Sequence, residues 1–520
     1  MKYSDLLHNL GFDRDPFATT NADEEELLED YFIEPPFFKA VYGDIHAPKS
    51  FIVYAPRGGG KTALKRRIEL AARTDAFLCV TYNTFPTTGL KLANIDLEYH
   101  LRNLTRILLV AILSAATTTG IDNLSGDDKH FLYMLAKEHL SRLDRSDLKD
   151  AISSVKNLSD TAKDVWNTLT GPLSAGLTVA LMKFGFKSPE LSKFEAEKGM
   201  VGNLSEQIAF LARIATLFGF FSTYVLVDKI DENVLTGKAS SSLLFVRPLL
   251  TDLGLLEAPG IGFKFFLWDR LEADAREFSR PDRVKIYSLK WTSAQLKEML
   301  SRRLAAHSAQ RIHSLASITP IDRNINIDEL VVTLSGGSPR NIIRICKAIF
   351  DEQSEMDANS RTISERALLR GINVIADELA AETVPENVLR DLKKLRRTDF
   401  TVTNVYADVF RISQQSGLQK VQLWQDSGAV IKIGTRQTRR GNRPSNVYAV
   451  ANPLVLKHIF GDLSALDFWE QKLRVCDCGQ LVLRDWDSSQ NQFCQACEHV
   501  FPADEVGPLL AVQEPDGSKG

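Results

Sequence analysis

The stretch Phe51–Arg67, FIVYAPRGGGKTALKRR, decides the fold of this chain. A short apolar run typical of a β-strand, Phe51–Tyr54, leads into a glycine-rich turn ending in Gly60-Lys61-Thr62, and a helix-forming run follows. In a strand–loop–helix arrangement the backbone N–H groups of the loop wrap a polyphosphate, and the helix N-terminus adds its partial positive charge. The spacing therefore predicts a phosphate-binding loop on an α/β core with a parallel sheet.

Two side chains of this loop have predicted roles of their own. Lys61 is expected to reach the β- and γ-phosphates of a nucleotide, and the Thr62 hydroxyl to hold Mg²⁺. Ala55 stands where a first glycine is usual, and a small residue suffices there. The alternative is a glycine-rich turn without a ligand, which the flanking strand and helix disfavour. The predicted nucleotide-binding residues of the loop are Ala55, Pro56, Arg57, Gly58, Gly59, Gly60, Lys61, Thr62 and Ala63.

A second apolar strand that ends in acidic residues lies at Thr223–Asn233, TYVLVDKIDEN. A buried strand would deliver Asp228 to its tip beside the phosphate loop, where its carboxylate can hold the Mg²⁺ hydration shell. Glu232 or Asp231 is expected to orient and deprotonate the attacking water. The alternative is a strand followed by an ordinary acidic turn.

The composition is that of a water-soluble globular chain of several domains. Its 520 residues carry a net charge of −3, so any nucleic-acid binding must come from local patches. Cys79 and Cys346 sit alone in apolar runs and are predicted to be buried thiols. The N-terminus has no apolar signal core, and the apolar segment Val165–Phe186 is interpreted as a buried or partner-facing helix. We expect a cytoplasmic protein without a membrane role.

The chain between the two nucleotide motifs is far longer than one strand–helix–strand step requires. Helix-period apolar spacing predicts helices at Leu97–Ala116, Asp128–Leu143 and Asn203–Phe218. The excess length predicts a helical insertion at about 95–200, which we expect to carry partner or substrate specificity. Residues 1–45 form an N-terminal lead-in. Its aromatic run Tyr31–Phe38 either stacks on a base or packs on the domain edge.

A further strand, Gly262–Trp268, is followed by Asp269 and by the basic stretch Arg280-Pro-Asp-Arg283. Together with the two nucleotide motifs, this order resembles the AAA+ and STAND groups of P-loop ATPases. The resemblance implies a core at 46–285, with Asp269 near the sensor of the fourth strand, where Asn or Thr is more usual. It makes Arg280 and Arg283 candidates for an arginine finger on a neighbour's γ-phosphate, with a salt-bridged surface loop as the alternative.

The same resemblance implies a helical lid at 286–380. A helix capped by Thr292 or Ser293 opens it, and Ile327–Leu334 is another helix. The turn that follows ends at Arg340 and begins a helix at Asn341–Phe350. Arg340 would be a second sensor facing the nucleotide, and a solvent-facing arginine on a capping turn is the alternative.

Residues 385–462 are predicted to form a winged helix, the layout that origin-recognition ATPases show after their lid. Helices are expected at Val388–Leu395, Thr403–Ser413 and Leu418–Asp426, and strands at Ala429–Gly434 and Asn446–Val450. The basic wing between those strands could neutralise nucleic-acid phosphates. A protein-binding winged helix with a solvated hairpin is the alternative. The candidate nucleic-acid contacts are Lys432, Arg436, Arg439, Arg440 and Arg443.

Two cysteine pairs near the C-terminus, Cys476/Cys478 and Cys494/Cys497, predict a structural zinc ribbon at 470–503. The first pair is C-x-C in place of the usual C-x-x-C, and His499 could replace one sulfur. Free thiols are the alternative. Residues 504–520 are expected to be a disordered tail.

These features together predict an ATP-, Mg²⁺- and Zn²⁺-binding ATPase that forms a homo-oligomer. It would act as a nucleotide-driven switch or motor that docks nucleic acid, with DNA favoured, or a partner protein. Antiviral defence or mobile-element DNA transactions are the biological settings that analogy favours. The alternative is a STAND-like signalling scaffold that senses a protein ligand and recruits a separate effector protein.

Overall fold

The computed structural model describes residues 3–141, 143–157, 159–167, 173–196, 202–436, 444–476, 481–483, 492–493, 497 and 499–501. The chain divides into two compact units. One unit is formed by Glu34–Leu289, and the other by Met1–Ile33 together with Lys290–Gly520. Each unit has its own hydrophobic core.

The helices and strands follow one another along the chain in this order. The helices are α1 (Tyr3–Leu10), α2 (Leu28–Tyr31), α3 (Phe38–Tyr42), α4 (Lys61–Ala71), α5 (Leu97–Thr119), α6 (Gly126–His139), α7 (Arg145–Ser154), α8 (Asp160–Asn167), α9 (Leu173–Lys183), α10 (Ser188–Ala196), α11 (Leu204–Leu217), α12 (Ala239–Thr251), α13 (Leu253–Leu256), α14 (Glu272–Ala275), α15 (Ser293–His307), α16 (Ile327–Leu334), α17 (Pro339–Asp357), α18 (Glu365–Thr383), α19 (Glu386–Leu395), α20 (Gln414–Asp426), α21 (Pro453–Ile459) and α22 (Ala465–Lys472). The strands are β1 (Phe51–Ala55), β2 (Phe77–Tyr82), β3 (Ser222–Val227), β4 (Ile261–Trp268), β5 (Lys285–Ser288), β6 (Asp399–Thr401), β7 (Val430–Arg436), β8 (Ser445–Val450), β9 (Leu473–Val475), β10 (Leu481–Leu483), β11 (Gln492–Phe493) and β12 (Val500–Phe501).

The unit Glu34–Leu289 is built on a five-stranded parallel sheet with the order β2-β3-β4-β1-β5. Every residue of β1, β2 and β3 is buried, as expected for parallel strands covered by helices on both faces. The predicted α/β core with a parallel sheet is therefore confirmed.

In the described part of the stretch predicted to be a helical insertion, the structure has the six helices α5–α10. The helix α5 is long and apolar enough to span a membrane, but 72% of its most apolar window is buried inside the protein, as in the core helix of a globular unit. Leu177 and Leu181 of α9 are buried, whereas Val179 and Met182 are exposed. Of the segment Val165–Phe186, the described part of α9 thus has both buried and exposed apolar side chains.

The insertion also touches the edge of the sheet. Val155 forms an antiparallel bridge with Val80 of the edge strand β2. The Asn157 side chain accepts a hydrogen bond from Cys79 N at 2.6 Å and donates to the carbonyl of Phe77 at 2.9 Å. Because an edge strand presents unpaired backbone groups, these contacts satisfy part of β2 and tie the insertion to it.

The N-terminal residues of the second unit share a core with the helices α15–α18. Leu6, Leu10 and Phe17 belong to the same buried cluster as those helices. The buried Arg303 of α15 donates to the carbonyl of Pro16 and to the carboxylate of Glu25. These bonds hold the N-terminal segment against α15.

The aromatic run Tyr31–Phe38 packs against protein side chains. The Tyr31 ring lies under the Arg303 guanidinium, with 4.8 Å between the guanidinium carbon and the ring centroid. In the other unit, Phe37 stacks on Tyr287 with 5.1 Å between ring centroids. Of the two interpretations of this run, the packing one describes the contacts seen.

The helices α15–α17 follow the sequence signals closely. Thr292 caps α15 through a capping box with Gln295, in agreement with the predicted cap. Gly336 and Gly337 have φ values of 64° and 81°, a region that favours glycine, in the turn before α17. The helix α17 itself extends to Asp357, beyond the predicted end at Phe350.

The segment from α19 to β8 contains helix, strand, helix and hairpin elements. The strands form an antiparallel sheet with the order β6-β8-β7. The helix predicted at Thr403–Ser413 is wrong in length: residues 402–403 are helical, and the π-helical stretch Asn404–Val409 that follows ends four residues before Ser413. It ends where Arg411 adopts a left-handed φ of 52°, which an α-helix cannot continue through. The centre of the predicted wing, 437–443, lies outside the described residues.

Candidate functional site

The glycine loop, which is predicted to bind phosphate, lies at the edge of the parallel sheet where the strands have their carboxyl ends. The strand β1 ends at Ala55, the loop follows, and α4 begins at Lys61. The strand β3 ends one residue before Asp228, and because parallel strands end at the same edge, the fold brings Asp228 to the loop. The Thr62 hydroxyl donates to Asp228 Oδ2 at 3.3 Å. The two predicted metal-binding side chains are thus in contact, although they are far apart in the sequence.

The glycines of the loop are required by its backbone. Gly58 and Gly60 have φ values of 73° and 95°, in the left-handed region that favours glycine. A Cβ atom on Gly59 would lie 2.9 Å from the carbonyl oxygen of Pro56, which is closer than real Cβ contacts. The loop can therefore form its tight turn only with glycine at these positions.

Lys61 lies folded over the loop that precedes it. Its ammonium donates to the carbonyls of Ala55 at 3.0 Å and Pro56 at 3.1 Å, and the side chain is buried. Both of these acceptors are neutral, so an anionic group placed in the loop would be a stronger partner for the ammonium.

Arg57 of the loop holds the acidic turn that follows β3. Its Nε donates to Asp231 Oδ2 at 2.8 Å, and its Nη2 donates to the Asp231 carbonyl at 2.8 Å. The guanidinium carbon lies 4.4 Å from the ring centroid of Trp268, the last residue of β4. Asp231 is buried, whereas Glu232 beside it is exposed. The two candidate bases therefore have different surroundings.

A buried ion pair on α4 was missed by the sequence analysis. Lys65 and Glu69 are both almost fully buried, and the Lys65 ammonium is 3.5 Å from Asp228 Oδ2 and 3.7 Å from Glu69 Oε1. The signal was present in the sequence, because Lys65 and Glu69 lie one turn apart and next to the apolar residues Leu64 and Ile68. A charged pair spaced four residues apart on the buried face of a helix needs internal partners.

The predicted arginine-finger residues lie at the opposite edge of the sheet. Arg283 precedes β5, whose first residue Lys285 is level with Phe51, the first residue of β1. Arg283 Nε donates to Glu257 at 2.7 Å, and Arg280 Nε donates to Asp282 at 3.3 Å. Both arginines are exposed and lie at the end of β1 far from the loop of their own chain.

The remaining polar residues with predicted nucleotide roles are exposed. Asp269 directly follows β4 at the carboxyl edge of the sheet. Arg340 lies in the first turn of α17, in the second unit, and its predicted position opposite the nucleotide stays a prediction.

The predicted nucleic-acid contacts are only partly within the described residues. Lys432 is exposed on β7, and Arg436 is the last residue of β7. Arg439, Arg440 and Arg443 lie outside the described residues, so their role stays a prediction.

The four clustered cysteines are described in part. Cys476 lies between β9 and β10 and Cys497 between β11 and β12, and each of these strand pairs is antiparallel. Their sulfur atoms are 3.5 Å apart. Cys478 and Cys494 lie outside the described residues. Among the described residues, no group of three or more His, Cys, Asp or Glu side chains is arranged to hold a metal ion. The two isolated thiols, Cys79 and Cys346, are fully buried, and that prediction is confirmed.

Comparisons with known proteins give distant structural likenesses. No family model matches the chain, and no curated protein matches it significantly. The Aeropyrum pernix ORC2 protein in ADPNP–ADP complexes is 12% identical, covers 84% of this chain and 97% of its own, and has a TM-score of 0.37. Drosophila ORC bound to DNA is 12% identical, covers 88% and 90%, and has a TM-score of 0.27. The Thermotoga maritima RuvB Holliday junction branch migration motor is 16% identical, covers 55% and 91%, and has a TM-score of 0.22. These TM-scores lie below 0.5, so the likenesses decide neither the family nor the function of this chain.

The donor set at the carboxyl edge fits a polyphosphate with a divalent cation. The Thr62 hydroxyl and the Asp228 carboxylate are oxygen donors of the kind that Mg²⁺ prefers. The glycine loop leads directly into the N-terminus of α4, and the partial positive charge of a helix N-terminus favours anions. The chain therefore carries, at one edge of one sheet, the groups that nucleotide binding requires.

Proposed function

We propose that this chain is a magnesium-dependent ATPase of the AAA+/STAND type that works as a nucleotide-driven conformational switch or an oligomeric motor. The observation that carries the proposal is the contact between Thr62 and Asp228 beside the glycine loop. Loops of this kind are common in phosphate sites, and a Ser/Thr hydroxyl with a strand-end carboxylate is the pair with which P-loop NTPases hold Mg²⁺.

Each residue of the loop has a role in this proposal. The backbone N–H groups of Gly58–Thr62 bind the phosphates, and Lys61 exchanges its carbonyl acceptors for the β- and γ-phosphate oxygens. Thr62 and Asp228 hold Mg²⁺, which when bound neutralises charge on the phosphates.

Glu232 is the favoured general base of the two candidates. The Asp231 carboxylate is buried and engaged by Arg57, so it is less available to a water molecule. Glu232 is exposed beside it and can accept a proton from an attacking water. Asp231 then serves to hold the loop in place.

Hydrolysis in this proposal involves neighbouring subunits. Arg280 and Arg283 lie too far from their own loop, so either would act as an arginine finger only in the site of a neighbour in a homo-oligomer. Arg340 would sense the nucleotide from the helical lid.

The C-terminal elements are proposed to dock nucleic acid, with DNA favoured. The order α19, β6, a π-helical stretch, α20, β7 and β8 supports the proposal of a winged helix, and the predicted basic wing lies in the sequence between β7 and β8. A setting in cytoplasmic antiviral defence or mobile-element DNA transactions rests on the analogy of this layout alone.

A structural zinc ion is proposed for the C-terminal cysteines. The proposal rests on the 3.5 Å separation of the Cys476 and Cys497 sulfur atoms, because thiolates that share one tetrahedral zinc lie within about 4 Å of each other. Elemental analysis of the purified protein is expected to find about one zinc per chain. A chain that carries no zinc would contradict this proposal.

A signalling scaffold is the second candidate. The observation that favours it is the pair of exposed apolar side chains on α9 of the insertion, Val179 and Met182, which suit contact with a protein ligand. In this case a separate effector protein would carry the biological output.

ATP turnover with different nucleic acids distinguishes the two candidates. Hydrolysis is measured for the protein alone and with double-stranded DNA, single-stranded DNA or RNA, with Glu232→Gln as the background. Stimulation by one nucleic acid supports the ATPase that docks nucleic acid. Turnover that is indifferent to all three favours the scaffold, and equal turnover in Glu232→Gln would contradict the role of Glu232.

The wing is tested by reversing its charge. Arg439→Glu with Arg440→Glu should weaken DNA binding and lower its salt dependence, because fewer counterions are released per bound protein. Lys432→Glu reverses the charge of one further candidate contact, on β7, and serves as the single-site comparison for the double change. Affinity equal to that of the unmodified protein would mean that the wing does not contact DNA.

A further inference from the structure

The helix α4 carries a buried line of alternating charges behind the phosphate loop. Lys65 lies between two carboxylates, Asp228 at 3.5 Å and Glu69 at 3.7 Å, and all three side chains are at most 2% exposed. Burying charges is costly unless they are paired, and removing one partner leaves an uncompensated charge. The three groups therefore depend on one another.

The line of charges continues into the helical insertion. Lys156 Nζ is 3.8 Å from Glu69 Oε1, and Lys156 N donates to the carbonyl of Cys79 in β2 at 2.9 Å. Thr81 of the same strand donates to Glu69 Oε1 at 2.5 Å. An unbroken chain of ion pairs thus leads from Asp228 through Lys65 and Glu69 to the insertion.

On the basis of the proposed function, we propose that Lys65 is a positioning residue of the metal site. It is the resident counter-cation of Asp228, which an incoming divalent cation replaces. Lys65 then pairs more closely with Glu69, and the ion pair between Glu69 and Lys156 weakens. Metal–nucleotide binding is in this way coupled to the helical insertion.

Geometry and charge support the exchange. Asp228 Oδ2 is shared by the Lys65 ammonium and the Thr62 hydroxyl, and Mg²⁺ takes the same two oxygen donors. Two cations held within a few ångströms of each other in a buried site repel strongly. Because Glu69 already lies 3.7 Å from Lys65, the ammonium has a second partner without a large movement.

Direct binding of Mn²⁺, followed by the electron paramagnetic resonance signal of the free ion, tests this proposal. The full chain is titrated without nucleotide and with ADP, and Asp228→Asn identifies the binding that belongs to this site. Lys65→Met should bind Mn²⁺ on the order of tenfold more tightly, because the competing cation is gone. Lys65→Arg keeps the charge and should stay within about threefold of the unmodified protein. Unchanged or weaker binding in Lys65→Met would overturn the proposal.

A second variant tests the link to the insertion and does not depend on the folding of Lys65→Met. Lys156→Met should tighten Mn²⁺ binding by about threefold, since Glu69 then attracts Lys65 more strongly. Lys163→Met removes an exposed cation of the insertion, paired with Asp160, and should change nothing. A merely structural role of Lys156 would weaken Mn²⁺ binding or leave it unchanged, and either result would overturn the coupling.

The two arms of the titration separate this inference from the proposed function. Tighter Mn²⁺ binding in Lys65→Met without any ADP binding would support the role of Lys65 and contradict the ATPase. ADP binding that depends on Lys61, together with a Mn²⁺ affinity in Lys65→Met equal to that of the unmodified protein, would support the ATPase and contradict the role of Lys65. Absence of both Mn²⁺ and ADP binding would contradict both.

Discussion

The two edges of the parallel sheet in Glu34–Leu289 each bury a lysine, in opposite surroundings. At the carboxyl edge, Lys65 lies between the carboxylates of Asp228 and Glu69. At the amino edge, Lys264 donates to the carbonyl of Lys49 at 2.7 Å and lies over the ring of Phe51, 4.4 Å from its centroid. Burial lowers the pKa of Lys264 to about 7.

This comparison shows that the groups around a buried lysine decide its role more than its degree of burial does. Lys65 faces two acids, and those acids adjoin a glycine loop that can bind anions. Lys264 faces a neutral carbonyl and aromatic faces, which compensate its charge less well. We therefore expect changes at Lys61 on the carboxyl edge to alter ligand binding, and changes at Lys264 on the amino edge to alter stability.

The largest expected effect is that of Lys61→Ala on ATP binding. The variant should lose at least about 100-fold in ATP affinity, because charge-assisted bonds to the phosphates are removed. Its fold should be retained, since the Lys61 ammonium bonds to neutral carbonyls of its own loop, whose turn is fixed by glycine. Isothermal titration calorimetry measures the affinity, and Lys264→Met serves as the control from the other edge. An equal loss of ATP affinity in Lys61→Ala and Lys264→Met would contradict the distinction between the two edges.

Lys264→Met should stabilise the protein by about 1–3 kcal/mol near pH 7, because an apolar side chain replaces one whose charge is poorly compensated. The pKa of Lys264 is about 7 in the folded protein against an ordinary 10.5, so the unfolded chain binds more protons between these values. The stability contributed by the neutral amine is thus fully present above pH 10.5 and is lost as the pH falls toward 7. Urea unfolding at pH 7, 8.5 and 10 should show the advantage of the variant shrinking as the pH rises. A constant difference would contradict the neutral state of Lys264.

Arg57→Ala should lower kcat/KM for ATP by about threefold to tenfold. Its half-exposed guanidinium fixes Asp231 through two bonds of 2.8 Å, and bonds to charged groups are worth about 1.5–3 kcal/mol before solvent screening. Steady-state turnover measures the change, and Asp231→Asn, which weakens the same contact from the other side, should give a similar loss. A loss confined to one of the two variants would mean that they do not act as a pair.

The smallest expected effect is that of Arg280→Ala on stability. Arg280 is exposed and pairs with Asp282, two residues away, and such surface pairs contribute little. The melting temperature should stay within about 1 °C of that of the unmodified protein. Differential scanning calorimetry gives the comparison, and a larger drop would show that the amino edge carries a contact beyond this pair.

Much of the fold near the phosphate loop could be predicted from the sequence, because local patterns determine it. The spacing of Gly58–Gly60 determines the backbone conformation of the loop. The apolar run before Asp228 determines a strand and places Asp228 at its end. The cap at Thr292 was predictable for the same reason, since a capping box involves residues only three positions apart.

The missed features depend on contacts between distant segments. Glu69 on α4 and Lys156 after α7 meet only because the insertion bridges to β2. Arg57 pairs with Asp231 because of the order of strands in the sheet. The spacing of motifs along the sequence does not determine that order. The helix predicted at Thr403–Ser413 was too long because the sequence pattern does not reveal the left-handed backbone conformation of Arg411.

Calorimetric titration of the purified chain with Mg²⁺ and ATP tests the central claim most directly. We predict about one ATP bound per chain, with binding lost in Lys61→Ala and dependent on Mg²⁺ in the unmodified protein but not in Asp228→Asn. An affinity for ATP that is unchanged in Lys61→Ala, or no binding by the unmodified protein, would contradict the assignment of the glycine loop as a nucleotide site.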